Sequence, residues 1–180
     1  MKKSCLICVA FILVILSACS RDGQGVAPRN YFCAELNGQS WEGRVESGLD
    51  NNKDEWHLGV VVYADKQQLI RREELSINKI PLNKGRYALN TMRKDSIINL
   101  LGSGYGTSKD DGDVACDYYK LLLSDSSNNY IELTEVDIER RRFKGEFSGT
   151  YIRTTVNTCD VTKSDTMRFR NGKFFIKLRD

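Results

Sequence analysis

The sequence predicts an all-β domain, an antiparallel β-sandwich or flattened β-barrel of about nine to ten strands with hairpin connections. Three observations carry that expectation. Short runs alternate apolar and polar residues with a period of two, the pattern of a strand with one buried face. Clusters of Gly, Asn, Asp and Ser separate these runs at the spacing usual in antiparallel sheets. Two Asn-Gly dipeptides, Asn37-Gly38 and Asn171-Gly172, tolerate the positive φ angles that a two-residue type I′ hairpin turn requires.

Taken in order, the first hairpin turns at Asn37-Gly38, and its register places Ala34 opposite Trp41. Phe32 and Leu36 share their face, and Cys33 points the other way. Trp56, Leu58, Val60 and Val62 alternate with His57, Gly59, Val61 and Tyr63, which predicts a central strand. Further strands are expected near 69–78, 85–90 and 96–101, although Lys66 to Leu75 (KQQLIRREEL) also suits a short helix. GSGYG at 102–106 reads as a mobile loop, because no Lys-Ser/Thr and helix follow to make it a phosphate loop. Tyr119, Leu121 and Leu123 form one side of a strand that turns through SDSSNN and returns as YIELTEVDI, a meander. In the return strand Ile131 and Leu133 have one phase and Val136 and Ile138 the other, so a bulge is expected near Thr134 or Glu135. Phe143, Phe147 and Tyr151 face inward beside Gly145 and Gly149, with Lys144, Glu146, Ser148 and Thr150 outward. A last hairpin about Asn171-Gly172 sets Phe169 opposite Phe174 and Met167 opposite Ile176.

The chain divides into three parts. Residues 1–18 read as an export signal, with Lys2 and Lys3 ahead of an apolar run from Cys5 to Leu16 that closes in small residues. That run is shorter than the roughly 20 residues needed to span a bilayer. Leu16-Ser17-Ala18-Cys19 resembles the lipobox of bacterial lipoproteins, which implies that Cys19 is lipidated and becomes the first mature residue. Residues 19–30 hold Gly, Pro and polar residues without periodicity, as a flexible tether does. Residues 31–180 form the single all-β domain. The formal charge of the whole chain is +3, and loss of Lys2 and Lys3 with the signal lowers it by two. A nucleic-acid partner is not expected from so balanced a chain.

Of six cysteines, Cys5 and Cys8 leave with the signal and Cys19 carries lipid, leaving Cys33, Cys116 and Cys159. One internal disulfide can form among them in an oxidising compartment. The preferred pair is Cys116 with Cys159, each beside an aspartate at the edge of a strand run. Closing that loop would stabilise the fold by about 4 kcal/mol on the chain-entropy model.

Several stretches resemble a group of small Bacteroidetes lipoproteins whose function is unknown. FCAELNGQSW resembles their aromatic-x-Ala-x-x-Asn-Gly-x-x-Trp opening, and GRYAL their Gly-x-Tyr-x-Leu element. ELTEVDIERRRFKGEFSGTY resembles a hairpin ending in Gly-x-Phe-Ser, and RFRNGKFFI the closing hairpin. The resemblance implies an antiparallel sandwich or flattened barrel in the cell envelope, and brings no catalytic residues. It also marks Asp95-Ser96-Ile97 and Asp165-Thr166-Met167, which look like envelope O-glycosylation acceptors at Ser96 and Thr166. Ser20 after the lipidated cysteine implies sorting to the outer membrane.

Sites of chemistry are sparse. His57 is the only histidine, so it would be the centre of any His-bearing triad. A zinc cluster of Cys33, Cys116, Cys159 and His57 is disfavoured by scatter and by the compartment. Asp50, Asn52 and Asp54, and Asp110, Asp111, Asp113 and Asp117, lie in acidic loops that do not complete a calcium pattern. Trp41 and Trp56 occupy apolar strand phases, so core packing is preferred over sugar stacking. Arg140, Arg141 and Arg142 form a basic turn, read as solvated. No metal or cofactor is expected. The function expected is a non-enzymatic binding or accessory module on the envelope, held to the membrane by its lipid and facing a protein or glycan partner. The alternatives are a small-ligand or lipid carrier with a barrel cavity, a hydrolase using loop carboxylates, and an inhibitor or immunity-type protein with an exposed apolar patch.

Overall fold

The computed structural model describes residues 29–49, 55–65, 67, 70–91, 101–109, 112, 114–154 and 159–178. Their strands are β1 (Tyr31–Leu36), β2 (Gln39–Leu49), β3 (Glu55–Tyr63), β4 (Arg71–Pro81), β5 (Gly85–Ala88), β6 (Asn90–Thr91), β7 (Gly102–Lys109), β8 (Val114–Leu121), β9 (Tyr130–Asp137), β10 (Arg142–Arg153) and β11 (Thr166–Lys177). A 3-10 turn, Leu123–Asn128, joins β8 to β9.

Eight of these strands close into an antiparallel barrel. The ring runs β11, β1, β2, β3, β4, β7, β8, β10, and returns to β11. The fold is therefore all-β, as the alternation predicts, and a barrel rather than a sandwich. Eleven described strands stand against the nine or ten expected, the excess arising from short outer segments. β9 pairs with β10 outside the ring, β5 pairs with β9, and β6 adds two residues parallel to β7.

An eight-stranded ring is just wide enough for side chains to fill its interior. Here the filling is aromatic. Trp56, Tyr105, Tyr119, Tyr151, Phe143, Phe147, Phe169 and Phe174 are all buried, with Leu58, Val60, Leu75 and Ile77 between them. Trp56 stacks on Phe143 at 4.8 Å, and Trp41 meets Phe169 edge-on at 5.0 Å. Such pairs add about 0.5–1.5 kcal/mol each beyond the area they bury. The two tryptophans thus belong to the core.

The first hairpin has the anticipated register, Ala34 opposite Trp41, with Asn37 at φ 51° and Gly38 at φ 81°. The bulge in β9 falls at Thr134, since Lys144 pairs with Glu135 while Gly145 pairs with Leu133. Gly145 lies close under that bulge: a Cβ there would come within 2.0 Å of the Glu132 carbonyl oxygen.

Three expectations are corrected. Asn171-Gly172 is no hairpin, because β11 runs straight through it. Asn171, at φ 54°, is part of a bulge: β10 pairs Phe147 with Gly172 but Gly149 with Phe169, and β1 skips likewise between Cys33 and Glu35. A bulge shifts side-chain parity by one residue, as a two-residue turn does, so Met167, Phe169, Phe174 and Ile176 still share one buried face. The positive φ belongs to Asn171, and Gly172 is instead a close approach, 2.6 Å from the Phe147 carbonyl oxygen to a would-be Cβ. Second, GSGYG is strand β7, with Ser103 and Tyr105 fully buried. Third, β8 and β9 do not form a meander, because β10 lies between them and the connecting turn crosses over, leaving Leu123 exposed. The strand expected near 69–78 is present as β4, and the helical alternative does not hold for Arg71 to Leu75.

The crossover turn also explains why Ser148 and Thr150 are buried although their phase faces outward. Asp125 in that turn accepts from Thr150 Oγ1 at 2.5 Å and from Arg170 Nη2 at 3.1 Å, while Asn129 Oδ1 accepts from the Thr150 N–H at 2.8 Å. A polar cover with its bonds made replaces solvent there.

Candidate functional site

Antiparallel order brings the starts of β2, β4, β8 and β11 and the ends of β3, β7 and β10 to one end of the barrel. An acid sits inside that mouth. Glu73 shares the inward parity of Leu75 and Ile77 on β4, yet it is a carboxylate whose side chain is only 13% exposed. Its burial is compensated by three donors. Trp41 Nε1 of β2 donates to Oε2 at 2.6 Å, Tyr105 Oη of β7 donates to the same oxygen at 2.8 Å, and Lys163 Nζ bonds Oε1. Burial by itself raises the Glu73 carboxyl, but donation from Lys163, Trp41 and Tyr105 outweighs it and holds the group below its ordinary value. The same proximity, added to burial, pushes the Tyr105 phenol far above its ordinary value, so it remains a donor at physiological pH.

Lys163 reaches Glu73 because its loop is stapled down. Cys159 is bonded to Cys116 of β8, with Cα atoms 5.2 Å apart. Asp117, whose side chain is fully buried, accepts from the backbone N–H groups of Cys159 and Asp160 at 3.3 and 3.2 Å. Arg153, at the end of β10, pairs with Asp117 at 3.5 Å and donates to the carbonyls of Asp160, Lys163 and Ser164. Its guanidinium lies over the Tyr119 ring, and Tyr119 Oη donates to the Ser164 carbonyl at 3.2 Å. A buried charge pair of this kind is costly unless its remaining groups are bonded, and here the loop backbone accepts from both Arg153 Nη atoms while Nε faces Asp165 at 3.3 Å.

Two bulges frame the mouth. On β4, Arg72 is the extra residue between the Glu73–Val62 and Arg71–Tyr63 pairs. On β8, Cys116 and Asp117 together oppose Thr107 of β7, between the Tyr118–Gly106 and Ala115–Ser108 pairs. Such bulges re-aim side chains. Between them lies a pocket of about 380 Å³ lined by Arg72, Glu73, Thr107, Ser108, Lys109, Cys116, Cys159, Asp160 and Lys163.

The residues singled out from the sequence are placed as follows. Cys19 and Ser96 lie outside the described residues, as do Asp50, Asn52 and Asp54, and Asp110, Asp111 and Asp113. Thr166 opens β11 half-buried, its N–H donating to Ser164 Oγ at 3.2 Å and its carbonyl accepting from Asn37 Nδ2 at 3.1 Å. Cys33 is also disulfide-bonded, to a partner outside the described residues. His57 pairs with Gly48 at the opposite end of the barrel. Arg142 pairs with Asp137 at 2.7 Å in the turn between β9 and β10, again at that far end. Among the described residues no group of three or more His, Cys, Asp or Glu is arranged to hold a metal ion. Sequence reasoning passed over Glu73, Arg72 and Lys163. The available signal was an acid in the apolar phase of β4, and it was obscured by the competing helical reading.

No helix among the described residues is long and apolar enough to cross a membrane, which leaves membrane-crossing strands unaddressed. Comparison of the chain with protein-family models, curated proteins and solved structures finds no match in any of the three, and the reading of the site rests on its own geometry.

Proposed function

We propose that the chain is a cell-envelope lipoprotein, anchored through Cys19 to the outer membrane, whose barrel serves as a non-enzymatic binding or accessory module. The observation that carries the binding reading is the division of labour within the barrel: aromatic side chains fill its axis, while a stapled polar constellation occupies one mouth. A filled axis favours recognition at the surface over carriage of a ligand inside. Glu73 also speaks against acid catalysis, since a general acid needs a raised pKa and this carboxyl is lowered, with both oxygens engaged.

The anchor is supported by the charged start, apolar run, small residues and cysteine of the leader, followed by a spacer of tether composition. Two or more acyl chains give lasting membrane attachment where one does not. In the lipidated mature chain Cys5 and Cys8 have left with the signal, Cys19 carries lipid and Cys116 is bonded to Cys159, so this reading requires the partner of Cys33 to come from a second molecule. Metabolic labelling with a fatty-acid analogue, followed by membrane fractionation, tests it. Wild type should carry label and sediment with membranes, and Cys19→Ala should do neither. Label persisting in Cys19→Ala, or a mass spectrum showing Cys19 bonded to Cys33 in the exported protein, would overturn the anchor.

A further inference from the structure

The mouth pocket holds more positive charge and more hydrogen-bond donors than its acids use. Its two carboxylates are already engaged. Glu73 accepts from Trp41, Tyr105 and Lys163, and Asp160 Oδ1 accepts from the Thr162 N–H at 2.9 Å and Thr162 Oγ1 at 2.6 Å. Arg72 is different. The bulge on β4 turns it toward the pocket, and its Nη1 is buried with no acceptor among the described residues. Leaving a buried, charged donor without an acceptor is expensive, and the physical remedy is an anion. Around it stand the hydroxyls of Thr107 and Ser108 and the ammonium of Lys109, which ends β7 exposed to solvent. Thr107 Oγ1 accepts from the Asp117 N–H at 3.1 Å, which leaves its own proton to donate.

We propose that this pocket binds an oxyanion group, a carboxylate, phosphate or sulfate carried by a small molecule or by a terminal residue of a larger chain, with Arg72 as the principal ligand and Lys109, Thr107 and Ser108 beside it. A guanidinium presents paired N–H groups that match two oxygens of such an anion, which an ammonium does not. The pocket volume lies at the small end of ligand sites, about the size of one sugar ring or amino acid. The proposal deepens the reading of the mouth as a binding surface and is independent of the lipid anchor.

Calorimetric titration of the purified protein, oxidised and at constant ionic strength, tests it with inorganic phosphate, sulfate and glucuronate as probes and chloride as the ionic control. At least one probe should bind saturably, and the preferred probe identifies the source as phosphorylated, sulfated or uronic. Arg72→Gln should weaken that binding by about tenfold or more, the loss of one charge-assisted bond. Lys109→Ala, at an exposed position that does not threaten folding, should weaken it severalfold. Arg140→Ala, at the far end of the barrel, should leave it unchanged. Absence of saturation by all three probes would overturn the proposal. So would binding undiminished in Lys109→Ala together with Arg72→Gln, or undiminished in Lys109→Ala alone if the Arg72 variant does not fold. Loss of anion binding with fatty-acid labelling intact would condemn this proposal and spare the anchor.

Discussion

Replacing Glu73 with Ala removes one acceptor from three donors at once, and the cost can be worked from their surroundings. Trp41 is 7% exposed and Tyr105 fully buried, so neither the indole N–H nor the phenol O–H can turn to water. Each orphaned donor costs about 1–3 kcal/mol. The Lys163 side chain is 31% exposed, and its ammonium can swing into solvent, so its loss adds little. The sum is about 2–6 kcal/mol, a large share of the 5–15 kcal/mol typical of a whole domain. Glu73→Gln keeps one carbonyl oxygen for the two neutral donors and should cost about 1–2 kcal/mol. Adding Tyr105→Phe to Glu73→Ala removes one of the orphans, so the double variant should be less damaged than the single effects predict, with a coupling of about 1 kcal/mol or more. Urea unfolding followed by tryptophan fluorescence reads wild type and the four variants, Tyr105→Phe alone included, and Trp41 reports directly. A Glu73→Ala variant within about 0.5 kcal/mol of wild type, or additivity with Tyr105→Phe, would refute the reasoning.

The same carboxylate makes stability depend on pH. Its folded pKa lies below the ordinary value of 4.5, so its contribution is complete above that value and is lost as pH falls through the folded pKa; thermal melts below pH 4.5 should show a shallower decline in Glu73→Gln than in wild type. Changing both Cys116 and Cys159 to Ser should lower stability by about 4 kcal/mol, the chain-entropy value for their separation of 43 residues, measured by urea unfolding of both proteins. Gly145→Ala should cost about 3 kcal/mol or more, because its methyl would lie 2.0 Å from the Glu132 carbonyl oxygen and 2.6 Å from Phe174 Cζ; a melting temperature equal to wild type would show that β9 is not held so close.

The sequence disclosed most of the barrel wall, because parity is a local property. Phe143, Phe147 and Tyr151 are buried as their period-two spacing requires, and the phase change in β9 located the Thr134 bulge to within one residue. Parity could not distinguish a turn from a bulge at Asn171-Gly172, since both shift the phase by one residue; the difference lies in which strands flank them, a non-local fact. The crossing of the Leu123–Asn128 turn over β10 was hidden for the same reason. Barrel closure is likewise decided by the pairing of β10 with β11, which leaves no mark on either strand separately. The mouth was harder still. Its residues come from β2, β4, β7, β8 and the loop before β11, and what unites Glu73 with Lys163, 90 positions away, is a disulfide and an ion pair acting on that loop's backbone.

The joint between β8 and β10 has three residue pairs, Tyr151 with Leu121, Ile152 with Lys120 and Arg153 with Tyr119, flanked by bonds from the Leu122 N–H to the Thr150 carbonyl and from the Thr154 N–H to the Tyr118 carbonyl, against ten pairs between β10 and β11. The Cys116–Cys159 bond spans that same joint, from β8 to the segment that follows β10. It acts as a latch on the narrowest seam of the wall. While it holds, β8 and the segment that follows β10 stay joined whatever becomes of the ladder between them. Reduction would leave that joint to its backbone bonds and to the Asp117–Arg153 pair.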